Sequence, residues 1–314
     1  MPARRPPSRR TAARRRLVAL AGAGLIAFVV GAVVAAGGDD PPASSQAAAE
    51  AQSPQLPRGG RELLPEHRLV GFYGAPQDEE LGALGIGEPS EAGQRLVEQA
   101  RAYRGDRPVL PVFELLATIA AADPGEDGLH RLRQPHSTIR RYLEEARRRR
   151  GLLLLDVQPG RADFADEIAR LRRYLREPDV GLALDPEWHV GPDEVPGAVI
   201  GSVDAETVNE ISADLARLVE QYDLPEKLFV VHQFTADMIA NRGALEPRPG
   251  VATVLNVDGF GDQANKVSKY RLLRPQRSGA FHSGFKLFYS EDVGLMEPQE
   301  VTGLEPSPGL IIYE

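Results

Sequence analysis

The sequence predicts an α/β fold of the (β/α)8, TIM-type barrel class, and three observations predict it. Eight short, β-rich apolar runs recur along residues 67–314, segments with helical apolar spacing separate most of them, and the 248 residues of that stretch match the roughly 250 typical of such barrels. The runs are 69–73, 109–115, 152–157, 180–184, 228–234, 251–257, 285–289 and 310–313. Several are apolar on both alternations, as strands must be when they lie between a barrel interior and a coat of helices.

The elements follow in order. Residues 1–16 hold seven Arg and no acid, which predicts a basic cytoplasmic N-terminus. Residues 17–36 are an unbroken apolar or small run, long enough at about 1.5 Å per residue to cross a hydrocarbon core of roughly 30 Å. That run is a single transmembrane anchor with the following domain outside the cell membrane, or a signal peptide cut near Ala35, Ala36 and Gly37 from a secreted protein. Residues 37–66 are Pro, Ala, Ser, Gln and Gly with little apolar content, too little to offset ordering entropy, and are expected to form a disordered linker.

Within 67–314, Leu96, Val97, Ala100 and Tyr103 predict a helix after the first strand, and Ile139, Leu143 and Ala146 one after the second. Phe164, Ile168, Leu171 and Leu175 form a stripe behind Asp163 as N-cap, and Val208, Ile211, Leu215, Leu218 and Tyr222 form the next. Weaker helical segments lie at 236–240, 263–272 and 300–304. The last helix is absent because the sequence stops at Glu314, and residues 61–66 are expected to cover the gap. The connections 116–136 and 274–282 are expected to shape the mouth.

Composition removes whole classes of function. The formal charge of −8 hides an asymmetry, since 30 basic residues face 45 acidic ones after Ala36. Nucleic acid is therefore not an expected partner, because phosphate neutralisation needs a basic face. The absence of Cys excludes thiol nucleophiles, thiolate zinc sites and iron–sulfur clusters. No Ser elbow, P-loop or dinucleotide fingerprint occurs, so no cofactor is expected.

Barrels act at the C-terminal ends of their strands. Polar residues gather there: Tyr73, Glu114, Asp156, Gln158, Asp185, Glu187, His232, Gln233, Asn256, Asp258, Tyr289, Glu291, Asp292, Tyr313 and Glu314. Asp163, Asp204 and Asp292 are expected to be caps or turn formers instead. The sharpest local signal is Leu184-Asp185-Pro186-Glu187-Trp188. Side chains two apart on a strand share a face, and two carboxyls that close cannot both ionise freely, which is the requirement for a general acid at neutral pH. One of Asp185 and Glu187 is thus the expected acid, its neighbour staying charged to orient substrate, with Asp156 a second catalytic carboxyl. Tyr73, Gln158, Trp188, His232, Gln233, Asn256, Asp258 and Tyr289 are expected to bind substrate, Trp188 by stacking on a sugar. One of His232 and Gln233 must face inward, and that one is expected to hydrogen-bond Asp185, Glu187 or Asp258.

The D-x-E placement on the fourth strand resembles the chitinase and endo-N-acetylglucosaminidase superfamily and the barrel muramidases. That resemblance implies that Glu187 is the proton donor and that Asp185 steers an acetamido group; where the group carries a further Asp two residues earlier, this sequence has Ala183. The chain also resembles envelope-anchored barrel proteins of high-GC bacteria. The expected partner is thus a glycan or cell-wall polymer. Two alternatives use the same residues. One is a non-catalytic barrel binding glycan or protein. The other is a metal-dependent hydrolase on Asp156, Glu187, His232 and Asp258, against which stands the absence of H-x-H and H-E-x-x-H, so no metal is expected. The patterns carry no signal for oligomeric state.

Overall fold

The computed structural model describes residues 53–275 and 279–314. Eight parallel strands close into a barrel: β1 (Arg68–Gly74), β2 (Val109–Ala120), β3 (Leu152–Val157), β4 (Val180–Leu184), β5 (Lys227–Gln233), β6 (Val251–Val257), β7 (His282–Leu287) and β8 (Leu310–Tyr313). Each pairs with its sequence neighbours, and β1 pairs with both β2 and β8, which removes every edge. The predicted strands are therefore the observed ones, displaced by at most three residues at the ends. The exception is β2, which runs five residues further, through a register shift at Leu116 and Thr118, and pairs with a short antiparallel strand, Arg131–Arg133. Arg131 and Arg133 both bind the buried carboxylate of Glu167, fixing this arm to the helical coat.

The helical coat follows the sequence stripes. It comprises α1 (Pro89–Arg101), α2 (His136–Arg148), α3 (Phe164–Leu175), α4 (Ala205–Gln221), α5 (Gln263–Leu273) and the short α6 (Pro298–Thr302). Pro89 starts α1 with a capping box between Glu88 and Glu91, and Asp204 caps α4 by accepting from the Glu206 amide. Outward strand residues such as Phe113, Leu155, Leu182, Phe229 and Ile311 pack on Leu96, Ile139, Leu171 and Leu215 of the helices. No α-helix follows β5 among the described residues: the predicted helix at 236–240 is instead a short pair of strands, Val203–Asp204 with Ile239–Ala240, and a 3-10 turn. That segment has too few residues between polar Asn241 and Asp237 to bury a helical face.

Three expectations change. Residues 53–66 are not a loose tether. Leu56, Leu63 and Leu64 are buried and join the inward residues Leu69, Leu110, Leu152, Leu228 and Leu310, closing the base of the barrel. Glu226 Oε2 accepts the Leu63 and Leu64 amides at 2.6 and 3.0 Å, and Arg61 reaches Asp223 at 2.8 Å. This stretch therefore stoppers the interior instead of covering the gap of a missing helix. The segment 274–282 joins a helix to a strand, and its described residues lie at the base, where they line a cleft with Leu64, Glu226 and Gly250. The anchor or signal peptide at 17–36 lies outside the described residues. Among the described residues no helix is long and apolar enough to cross a membrane.

Candidate functional site

The mouth is built by strand ends and one turn. Leu184 ends β4, and Pro186 then starts a 3-10 turn, Pro186–Trp188. Asp185 and Glu187 thus share the mouth through a turn and not through strand alternation. The turn is held by Gly201, whose amide donates to the Glu187 carbonyl at 2.7 Å. A Cβ at Gly201 would meet the His189, Pro186 and Glu187 carbonyl oxygens at 2.2, 2.6 and 2.7 Å. Gly201→Ala is therefore expected to displace Glu187 and to cost about 1–3 kcal/mol of stability, measurable by urea denaturation. A wild-type value would show that the turn does not depend on this contact.

A cavity of about 480 Å³ opens here, and Tyr73, Gln158, Asp185, Glu187, Trp188 and Asp258 of the predicted residues line it. Asp185 is nearly fully buried: its Oδ2 accepts from Tyr73 Oη at 3.2 Å and from Gln158 Nε2 at 3.3 Å, while Gln158 Nε2 also donates to Tyr73 Oη at 2.8 Å. Gln158 is itself fixed by accepting the Ala120 amide. Burial, with the nearby charge of Asp156, pushes the Asp185 carboxyl up to about 7. Glu187 is half-buried, and its carboxyl makes no hydrogen bond among the described residues. Burial, then the charges of Asp185 and Asp258, push it up to about 8.

A second layer lies beneath the cavity floor. His232 faces inward from β5: its Nδ1 lies 2.8 Å from Asp258 Oδ2, and its Nε2 lies 2.9 Å from Glu114 Oε1 and 3.3 Å from Asp156 Oδ2. The Asp258 bond is one of the three that the sequence offered. Burial alone would depress the imidazole, but the charges of Asp258 and Glu114 outweigh it and hold it well above the ordinary histidine value. Asn256 donates to Asp258 and is fully buried. Asp156, His232 and Asn256 are buried and are not among the residues that line the cavity.

Two predicted residues lie elsewhere. Gln233 follows His232 and so takes the opposite alternation; its amide donates to the Leu273 carbonyl at the end of α5. Tyr289 lies two residues past the end of β7, stacks on Tyr313 with ring centroids 5.2 Å apart and donates to Gln99, outside the barrel wall. The expected turn former Asp292 accepts the Gly261 and Phe288 amides and pairs with Lys266.

Two charged members carry no expected role from the sequence: Glu114 stands there only as a strand-end polar residue, and Lys286 is absent from the expected set. Glu114 occupies the inward phase of β2 between outward Phe113 and Leu115. Lys286 occupies the inward phase of β7 between outward Phe285 and Leu287, and lies 2.6 Å from Glu314 and 3.6 Å from Asp258, with its Nζ 3.5 Å from the Tyr73 ring centre. Burial works against its charge, yet Glu314 and Asp258 hold its ammonium well above the usual lysine value. Lys286 and Glu314 themselves line the cavity, as do Lys269, Glu80, Leu81, Leu116, Ile119, Ala120, Phe234, Gly259, Phe260 and Phe288, with Phe260 largely exposed at the rim.

The chain matches no known protein family and no curated protein sequence. The fold and this site define its class as an α/β protein with a closed, eight-stranded parallel barrel, consistent with the TIM type, whose mouth is lined by charged and aromatic residues.

Proposed function

We propose that the protein is an extracytoplasmic glycoside hydrolase acting on a cell-envelope or environmental glycan, with Glu187 as general acid. One observation carries this reading: an unpartnered, half-buried carboxyl lines the mouth and keeps its proton near neutral pH, beside a second carboxyl that is held in place by Tyr73 and Gln158.

In this reading Glu187 gives its proton to the departing glycosidic oxygen. Asp185, fixed by the two donors, orients the substrate or stabilises the positive charge that grows at the anomeric carbon. The resemblance of D-x-E to chitinase-like barrels suits an acetamido group as what Asp185 steers. Trp188 and Phe260 offer flat apolar faces at the rim for sugar rings. The apolar run at 17–36 would hold the barrel at the outer face of the cell membrane.

The test is incubation of the full-length protein, purified in detergent, with peptidoglycan, chitooligosaccharides and α-glucans, with release of reducing ends as the readout. Product from at least one substrate, lost in Glu187→Gln, is the expected result. No product from any of them would overturn the hydrolase reading in favour of a glycan-binding barrel.

A further inference from the structure

We propose that Glu114, Asp156 and His232 bind one divalent transition-metal ion inside the barrel, beneath the floor of the mouth. The proposal does not rest on the hydrolase reading. It rests on three strands aiming one donor atom each at a common point: these atoms all lie within 4.8 Å of one another, and all three residues are buried. Ligands held about 2.0–2.2 Å from a metal lie about 2.8–3.6 Å from each other in tetrahedral or octahedral geometry. The Nε2 separations of 2.9 Å to Glu114 and 3.3 Å to Asp156 match that spacing.

A proton on His232 explains only part of the arrangement. A doubly protonated imidazole satisfies Asp258 at Nδ1 and Glu114 at Nε2. Asp156 is left over. Its Oδ2 lies near Nε2 but outside hydrogen-bond geometry, and neither of its oxygens, nor Glu114 Oε2, has a hydrogen-bond partner in the fully buried interior. Orphaned buried carboxylate oxygens are costly, and a cation at the shared point gives Asp156 Oδ2 a partner and neutralises both carboxylates. Asp258 on the far ring nitrogen is the outer carboxylate that commonly fixes the orientation of a metal-bound histidine. One imidazole with two carboxylates is a donor set for Zn²⁺, Mn²⁺ or Fe²⁺. On binding, Nε2 gives its proton to solvent and the dication takes its place, which reduces the excess of negative charge around His232 and Lys286.

The test is metal content. Full-length protein in detergent is stripped with chelator, incubated with Zn²⁺ or Mn²⁺, desalted and measured by plasma mass spectrometry. About one ion per chain is expected in the wild type, falling at least about tenfold in Asp156→Asn and Glu114→Gln, with Asp258→Asn weakening affinity about 10–100-fold. Circular dichroism identifies variants that fail to fold, and Co²⁺ loading of the wild type then decides, because a ligated ion gives visible absorption bands that Zn²⁺ displaces. Wild-type metal at the level of a buffer blank, a folded Asp156→Asn that keeps its ion, or Co²⁺ without such bands would overturn the proposal. None of these readouts depends on glycan hydrolysis.

Discussion

Glu187→Gln is expected to lower glycan hydrolysis by about 10²–10⁴-fold while leaving the fold intact, the range that a lost general acid costs. The side chain is half-buried and makes no hydrogen bond through its carboxyl among the described residues, so the amide replaces it without stranding a partner. The pH dependence has a defined sign. The protonated form is the active one, so kcat/KM of the wild type falls as pH rises through about 8, the value to which burial and Asp185 raise this group. Stability follows the same pair. The native state keeps protons on Asp185 and Glu187 up to about 7 and about 8, which the unfolded chain releases near 4, so stability falls as pH rises between those limits. Removing the titrating group at 187 flattens that fall. A pH–rate profile and thermal melts at pH 5 and pH 8 test both statements. An alkaline limb that survives in the variant would assign the acid to another group.

Lys286→Met is expected to destabilise the barrel by about 3–5 kcal/mol at pH 7, because removing one member of a buried charge cluster strands the others. Lys286 is 3% exposed and is the cation that Glu314 and Asp258 share. Without it, Asp258 keeps only His232 for neutralisation, and the carboxyls behind the floor rise toward protonation. The cost therefore shrinks as pH falls, since protonated carboxyls need no counter-charge. Urea denaturation at pH 7 and pH 5 measures it. Equal stability of variant and wild type at pH 7 would mean that the lysine is not what balances this interior.

The strands were legible because parallel strands buried on both faces must be apolar on both alternations, and runs such as Leu152-Leu153-Leu154-Leu155 have no other use. The inner polar layer was legible as interruptions in those runs: Asp156, Asp185, His232 and Asp258. What failed was phase. Gln233 adjoins His232 and so had to face the other way, and Lys286 had to face inward once Phe285 and Leu287 packed outward. A lysine in a strand reads as solvent-facing until its neighbours assign it to the interior. Tyr289 and the segment 274–282 failed for topological reasons. One lies past the strand end, and the other leads from helix to strand and so falls at the base. The clustering of Glu114 with Asp156 required register between strands that a single sequence does not print.

Among the described residues, the base of the interior is packed and the mouth is open. Leu56, Leu63 and Leu64 together with the apolar inward layers fill the lower half, while the polar layer sits just under the floor of the mouth. Water, protons and ions that exchange with His232 and its carboxylates therefore travel through the same aperture that admits a ligand. A molecule resting there acts as a cork, and how long it stays sets how quickly the chemistry behind it can equilibrate with the outside.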